Sequence, residues 1–101
     1  MLMHLNQTNF ENEVINKEGI VVVDFFATWC GPCKMIARNI EALANHHSEM
    51  TIGKIDVDQE MELANQFGVS SIPTIIVFKN GKEVSRMVGY RSLEELEASI
   101  K

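Results

Sequence analysis

Only two of the 101 residues are proline and two are cysteine, and tryptophan and tyrosine occur once each. Two cysteines are too few for a four-thiolate zinc site or a disulfide-dense scaffold. No Pro/Ser-rich stretch, internal repeat or charge block marks a linker, so one domain over residues 1–101 is expected. No apolar run approaches the roughly 18 to 20 residues that cross a bilayer, which predicts a soluble chain without a membrane partner. Basic residues are in deficit: nine Lys plus Arg against fourteen Asp plus Glu leave a net charge of −5. They do not cluster, which argues against nucleic acid as a partner. Residues 1–10 (MLMHLNQTNF) lack a basic region, a sustained apolar segment and a small-residue cleavage site, so a cytoplasmic address is expected. Nothing suggests an obligate dimer, and a monomer is expected. What remains, 46% hydrophobic and 23% charged, is an ordinary globular composition with enough apolar material for a core.

Segments of different period alternate along the chain. Thr8 and Glu11 have capping-box spacing before Phe10 and Val14, and Gly19 closes what reads as a first helix. Ile20 to Ala27 (IVVVDFFA) is a nearly continuous apolar run rich in β-branched and aromatic residues, as in a central strand buried on both faces. Gly31 and Pro32 open a long helix with Cys33, Ile36, Ile40, Leu43 and His47 on one side. Thr51 to Val57 reads as the next strand, and Asp58 as the cap of a short helix through Phe67 that Gly68 ends. Asn80-Gly81 joins strands Thr74 to Phe78 and Glu83 to Val88, because a tight hairpin needs positive φ at both central residues. Ser92 and Glu95 form a second capping box over Leu93, Leu96 and Ile100, and residues 2–5 offer an edge strand. The strand-helix-strand order implies a parallel crossover and the late hairpin an antiparallel pair, hence an α/β domain with a mixed sheet.

Cys30-Gly31-Pro32-Cys33 lies where the buried strand hands over to the long helix, at the sheet edge where α/β proteins place ligands. One helical turn apart, the cysteines can approach the roughly 5.5 Å Cα spacing of a disulfide, so the pair can close and reopen without refolding. As a staple, so small a ring stabilises by only about 2 kcal/mol, and no second Cys-x-x-Cys or neighbouring His completes a metal site. The helix distinguishes the sulfurs. Cys30 stands at the N-cap beside unpaired N–H groups, whereas Cys33 projects toward the packed face. An ordinary thiol, with pKa about 8.5, is only about 3% ionised at pH 7, and half-ionising it needs about 2 kcal/mol. The helix dipole supplies about 0.3 to 1 kcal/mol, and a hydrogen bond from the Cys33 thiol about 1.5 kcal/mol more. Cys30 is therefore the expected nucleophile and Cys33 both tunes and resolves it. Asp24 interrupts the apolar strand; burial should raise its pKa and suit it to moving the Cys33 proton, while Lys54 on the neighbouring strand is the candidate counter-cation.

Val23-Asp24-Phe25-Phe26-Ala27-Thr28-Trp29-Cys30-Gly31-Pro32-Cys33-Lys34 strongly resembles the active-site signature of the thioredoxin family. Lys54 to Asp58, Ile72-Pro73-Thr74, Phe78 to Gly81 and Val88-Gly89 match further motifs in order, so the resemblance spans the chain. It implies the thioredoxin fold, about five strands flanked by four helices, and reduction of protein disulfides through a reversible Cys30–Cys33 dithiol. It also implies that Asp24 assists through water with Lys54 nearby, and that Pro73 is a cis-proline facing the cysteines. Trp29, Gly31, Pro32, Ile72, Pro73, Val88 and Gly89 would dock substrates, with Ile72 pairing an extended strand. No bound cofactor or metal is implied; electrons would come from NADPH through a flavoprotein thioredoxin reductase, and the partners would be that reductase and disulfide-bearing proteins.

Two departures stand out: Arg38 replaces a proline frequent in the family's long helix, and Phe26 a common tryptophan. Gly31-Pro32 lacks the histidine that related oxidases and isomerases place between their cysteines, which favours a reductase over those alternatives. A non-catalytic thioredoxin-fold binding subunit is the rival from another class, and intact Cys30, Cys33, Asp24 and Pro73 argue against it. His46 and His47 read as a solvated helix end.

Overall fold

Ile20–Phe26 (β2) becomes the middle strand of a five-stranded sheet, as its lack of a polar face requires. The computed structural model describes residues 1–101. The other strands are β1 Leu2–His4, β3 Thr51–Asp56, β4 Thr74–Lys79 and β5 Lys82–Val88, in the order β1-β3-β2-β4-β5. β3 runs parallel to β1 and β2, whereas β4 is antiparallel to β2 and β5. Four helices cover this sheet: α1 Glu11–Ile15, a short π-helical segment, α2 Gly31–His46, α3 Met61–Gln66 and α4 Leu93–Ser99. The architecture is the expected α/β one, the thioredoxin fold.

Alternation along β2 divides the core. Val21, Val23 and Phe25 face α1 and α3, where they pack with Phe10, Val14, Ile55, Leu63 and Phe78. Val22 faces α2 and α4 with Ile36, Ile40, Leu43, Ile52, Ile75 and Leu96. Asp24 shares the parity of Val22, and Lys54 that of Ile52, so both belong to the α2 face.

Local chemistry sets the boundaries. At the hairpin Asn80 and Gly81 both take positive φ, 52° and 82°, as expected. A Cβ on Gly81 would stand 2.1 Å from the Ile15 carbonyl oxygen. Ser92 and Glu95 form their reciprocal capping box. Gly68 and Val69 donate to the carbonyls of Asn65 and Ala64, closing α3 with a Schellman turn.

Two expected caps do not form. Asn6, not Thr8, organises the approach to α1: its Oδ1 accepts from the N–H groups of Thr8 and Asn9 at 2.9 and 3.0 Å. A side-chain turn of this kind competes with a helical start, and the helical segment ends at Ile15 rather than reaching Gly19. Asp58 does not cap α3, whose N-cap is Glu60 without a side-chain bond; its carboxylate accepts the Trp29 indole N–H instead. His46 and His47 are not simply solvated either, since both imidazoles bond Glu97 of α4, and those bonds hold its carboxyl below the usual range.

Candidate active site

Cys30 occupies the N-cap of α2 in extended backbone conformation, with Pro32 in the first turn. Its Sγ accepts the Cys33 N–H at 3.2 Å, one of the donors a helix start leaves unpaired. Cys30 and Cys33 are joined as a disulfide with their Cα atoms 5.2 Å apart. Both are buried, in a small apolar group with Ala27 and the partly buried Phe26, Val57 and Ile72. The Cys30 sulfur lies 3.9 Å from the Ile72 carbonyl oxygen, which brings the loop before β4 over the cysteines.

That loop contains the cis Ile72-Pro73 peptide. Pro73 itself is buried. Its carbonyl accepts the Gly89 N–H at 2.8 Å, and Val88 lies opposite Thr74, so the end of β5 is held beside the cysteine loop. Gly89 has φ +91°, a conformation that favours glycine at this bend. Gly31 and Pro32 are exposed, Ile72 and Gly89 partly so, Val88 is 50% and Trp29 69% accessible. Trp29 is nevertheless fixed: its Nε1–H donates to Asp58 Oδ2 at 2.8 Å.

On the α2 face of β2, both carboxylate oxygens of Asp24 are buried without a hydrogen-bond partner. Burial pushes its pKa up to about 7, against a smaller opposing pull from the Lys54 charge. Lys54 is the register neighbour of Asp24 but forms no ion pair with it; its Nζ sits over the Phe26 ring, 4.6 Å from the centroid. Lys54, Phe26, Thr28, Lys34, Ala37 and Cys33 line an open cavity of about 210 Å³, so the lysine and the second cysteine share one space. A larger cleft, about 580 Å³, lies among Met1, Lys17 to Ile20 and Ser48 to Thr51, at the opposite ends of the parallel strands and away from the sulfurs.

A strand-edge disulfide at a helix start, a buried acid on the same face and a cis-proline loop over the sulfur form one constellation. Comparison with known proteins decides its family, because the thioredoxin family model matches residues 1–101. The chain belongs to the thioredoxin family. It is 50% identical over 96 residues to thioredoxin of Chlamydia muridarum, covering 95% of this chain and 92% of the relative. It is 43% identical over 99 residues to thioredoxin of Alicyclobacillus acidocaldarius, covering 97% and 93%. Mitochondrial thioredoxin of Mus musculus is 40% identical over 94 residues, covering 92% of this chain and 57% of that protein. As a thioredoxin, the chain is a thiol-disulfide oxidoreductase, a protein-disulfide reductase with Cys30–Cys33 as its active-site pair. The redox group of the family is this disulfide, with no bound cofactor.

Three residues near the thioredoxin site escaped the sequence reading. The sequence places Asp58 at a helix cap and gives Asn39 and Tyr90 no role; the Asn39 amide donates to the Tyr90 hydroxyl, joining α2 to the segment after β5. Asn39 and Tyr90 stand outside any motif and carry no periodicity that would single them out, and the partner of Asp58 is set by the tertiary fold.

Proposed function

We propose that Cys30 is the attacking thiolate, Cys33 the resolving thiol and Asp24 the proton acceptor of that second step. The observation carrying this assignment is the Cys33 N–H donated to Cys30 Sγ at the start of α2, a contact that stabilises negative charge on Cys30 alone. The Cys30 thiolate attacks one sulfur of a substrate disulfide, forming a mixed disulfide and releasing a substrate thiolate that takes up a proton. Cys33 then yields its proton, attacks Cys30 Sγ and releases the second substrate thiolate. Two electrons and the thiol protons pass to the substrate while Cys30–Cys33 closes. An acid with pKa about 7 is partly ionised near neutrality and so can accept the Cys33 proton, relayed through water. Lys54, facing the same cavity as Cys33, favours the ionised form of Asp24.

Trp29, Gly31, Pro32, Ile72, Pro73, Val88 and Gly89 dock the substrate, and an extended segment pairs with the backbone of Ile72. Electrons return from NADPH through a flavoprotein thioredoxin reductase, and the partners are that reductase and disulfide-bearing proteins. Residues 1–101 act as one domain, as a monomer, in the cytoplasm, where a reducing poise keeps such a dithiol charged with electrons.

Insulin reduction coupled to NADPH and a thioredoxin reductase tests the reading. The parent should turn over and Cys30→Ser should be inactive. Cys33→Ser should hold substrate proteins as mixed disulfides on Cys30 that a reductant releases. Accumulation of the adduct on Cys33 in Cys30→Ser, and none on Cys30, would reverse the two roles.

A further inference from the structure

The two cysteines meet different surroundings. Cys30 lies against the cis-proline loop, its sulfur 3.9 Å from the Ile72 carbonyl oxygen, whereas Cys33 lines the open cavity of about 210 Å³, which Cys30 does not line. That volume equals the liquid share of on the order of seven water molecules, room for a small ion and not for a peptide segment. The charge around it has one sign. Lys34, exposed, and Lys54, partly buried, both line the cavity, and neither forms an ion pair. Thr28 adds a neutral hydroxyl, and no carboxylate lines the space. Asp24, the register neighbour of Lys54, is wholly buried outside the lining, and Asp56, two positions along β3 from Lys54, has Oδ1 engaged by the Asp58 N–H at 2.9 Å. In a chain of net charge −5, two unpaired ammonium groups on one cavity beside a disulfide cysteine favour an anion there.

We infer that this cavity is a second entrance to the oxidised pair, through which a small sulfur oxyanion of the sulfite class attacks Cys33. Displacement at a disulfide sulfur expels the partner sulfur, and the partner of lower pKa leaves faster. A nucleophile held where Cys33 alone of the pair is in reach therefore attacks Cys33 and expels Cys30, whose sulfur accepts the Cys33 N–H at 3.2 Å. The sulfite lone pair forms a new S–S bond to Cys33, the Cys30–Cys33 bond breaks, and its electron pair leaves with Cys30. Both charges of the dianion are accounted for, one on the S-sulfonate of Cys33 and one on the Cys30 thiolate, and no proton or further reductant is consumed. Return attack by Cys30 expels sulfite and closes the pair again. Protein substrates, arriving from the other side, end on the opposite sulfur. The inference rests on the proposed assignment of Cys30 as the stabilised thiolate.

The test incubates the oxidised protein with sulfite at neutral pH and quenches in acid, so that protonated Cys30 cannot expel the sulfite. Electron-transfer fragmentation in the mass spectrometer then locates the sulfonate, which should lie on Cys33. Lys34→Gln should slow capture about three- to tenfold and Lys34→Glu further, and added salt should slow the parent. Ala37→Leu, which fills the cavity without altering charge, should slow capture as well. A neutral trialkylphosphine, offering no charge to attract, should reduce Lys34→Gln within about twofold of the parent rate. Sulfonate on Cys30, sulfonate on neither cysteine, or equal capture by the parent and Lys34→Glu would overturn the entrance. Failure of the underlying assignment is read without sulfite: the reduced parent, given limiting iodoacetamide, should carry the label on Cys30, and label on Cys33 would overturn that assignment instead.

Discussion

Among Val21, Val22, Val23, Phe25 and Phe26, a carboxylate can remain only if it holds its proton through much of the acid range, and Asp24, wholly buried and unpaired, has its pKa pushed up to about 7. An unfolded Asp titrates near 3.9, so between about pH 4 and 7 the native state binds more protons than the unfolded one. Stability therefore falls as pH rises across that window and is level above it. Asp24→Asn should remove the fall and make the protein more stable than the parent at pH 8, by up to on the order of 4 kcal/mol. Urea unfolding at pH 4, 6 and 8 measures this, and parallel pH curves for the two proteins would contradict it. On the proposed role of Asp24 as acceptor of the Cys33 proton, the same variant should slow closure of the mixed disulfide; quenched-flow trapping of the adduct reads that step. Asp24 was legible in the sequence because a lone acid breaks an apolar run. Asp58, by contrast, stands among polar residues, and nothing local says that its partner is an indole 29 positions away.

Helix and turn chemistry was legible wherever the deciding partner lies within a few residues. Asn80-Gly81 gave its hairpin, Ser92 and Glu95 their capping box, and Gly31-Pro32 the start of α2 with Cys30 at the N-cap. Ser92→Ala should cost about 1 kcal/mol in chemical denaturation. Gly81→Ala should cost about 3 kcal/mol or more, since positive φ and the Ile15 carbonyl oxygen both oppose a Cβ there. Gly31→Ala meets nothing within 4 Å and should leave stability unchanged or raise it by up to about 1 kcal/mol. Equal losses at the two glycines would show that backbone conformation is not what separates them. Caps at α1 and α3 were misread because distant or competing partners decide them: Asn6 captures the turn before α1, and Trp29 draws Asp58 away from α3. The link from His46 and His47 to Glu97 is likewise tertiary, formed only when α4 packs across the end of α2.

At the scale of the whole chain, the mixed sheet does most to place the chemistry. The parallel β2-α2-β3 crossover carries Cys30 to the carboxyl edge of the sheet, and the antiparallel β4-β5 pair returns Pro73, Val88 and Gly89 to the same edge. Strand parity sets Asp24 and Lys54 on the α2 face, and Lys54, 24 positions from Cys30 in sequence, comes to share a cavity with Cys33. Element order and the Cys-x-x-Cys position made this edge predictable, whereas the Asn39–Tyr90 tether depends on how closely β5 approaches α2, which no sequence period encodes. On the proposed assignment, the fold makes the first sulfur more acidic than the second. Alkylation of the reduced protein across pH, with adducts on Cys30 and Cys33 counted separately by mass spectrometry, tests it most directly. Cys30 should reach half its maximal rate well below the ordinary thiol value of about 8.5 and Cys33 only at higher pH; coincident midpoints near that ordinary value would contradict the account.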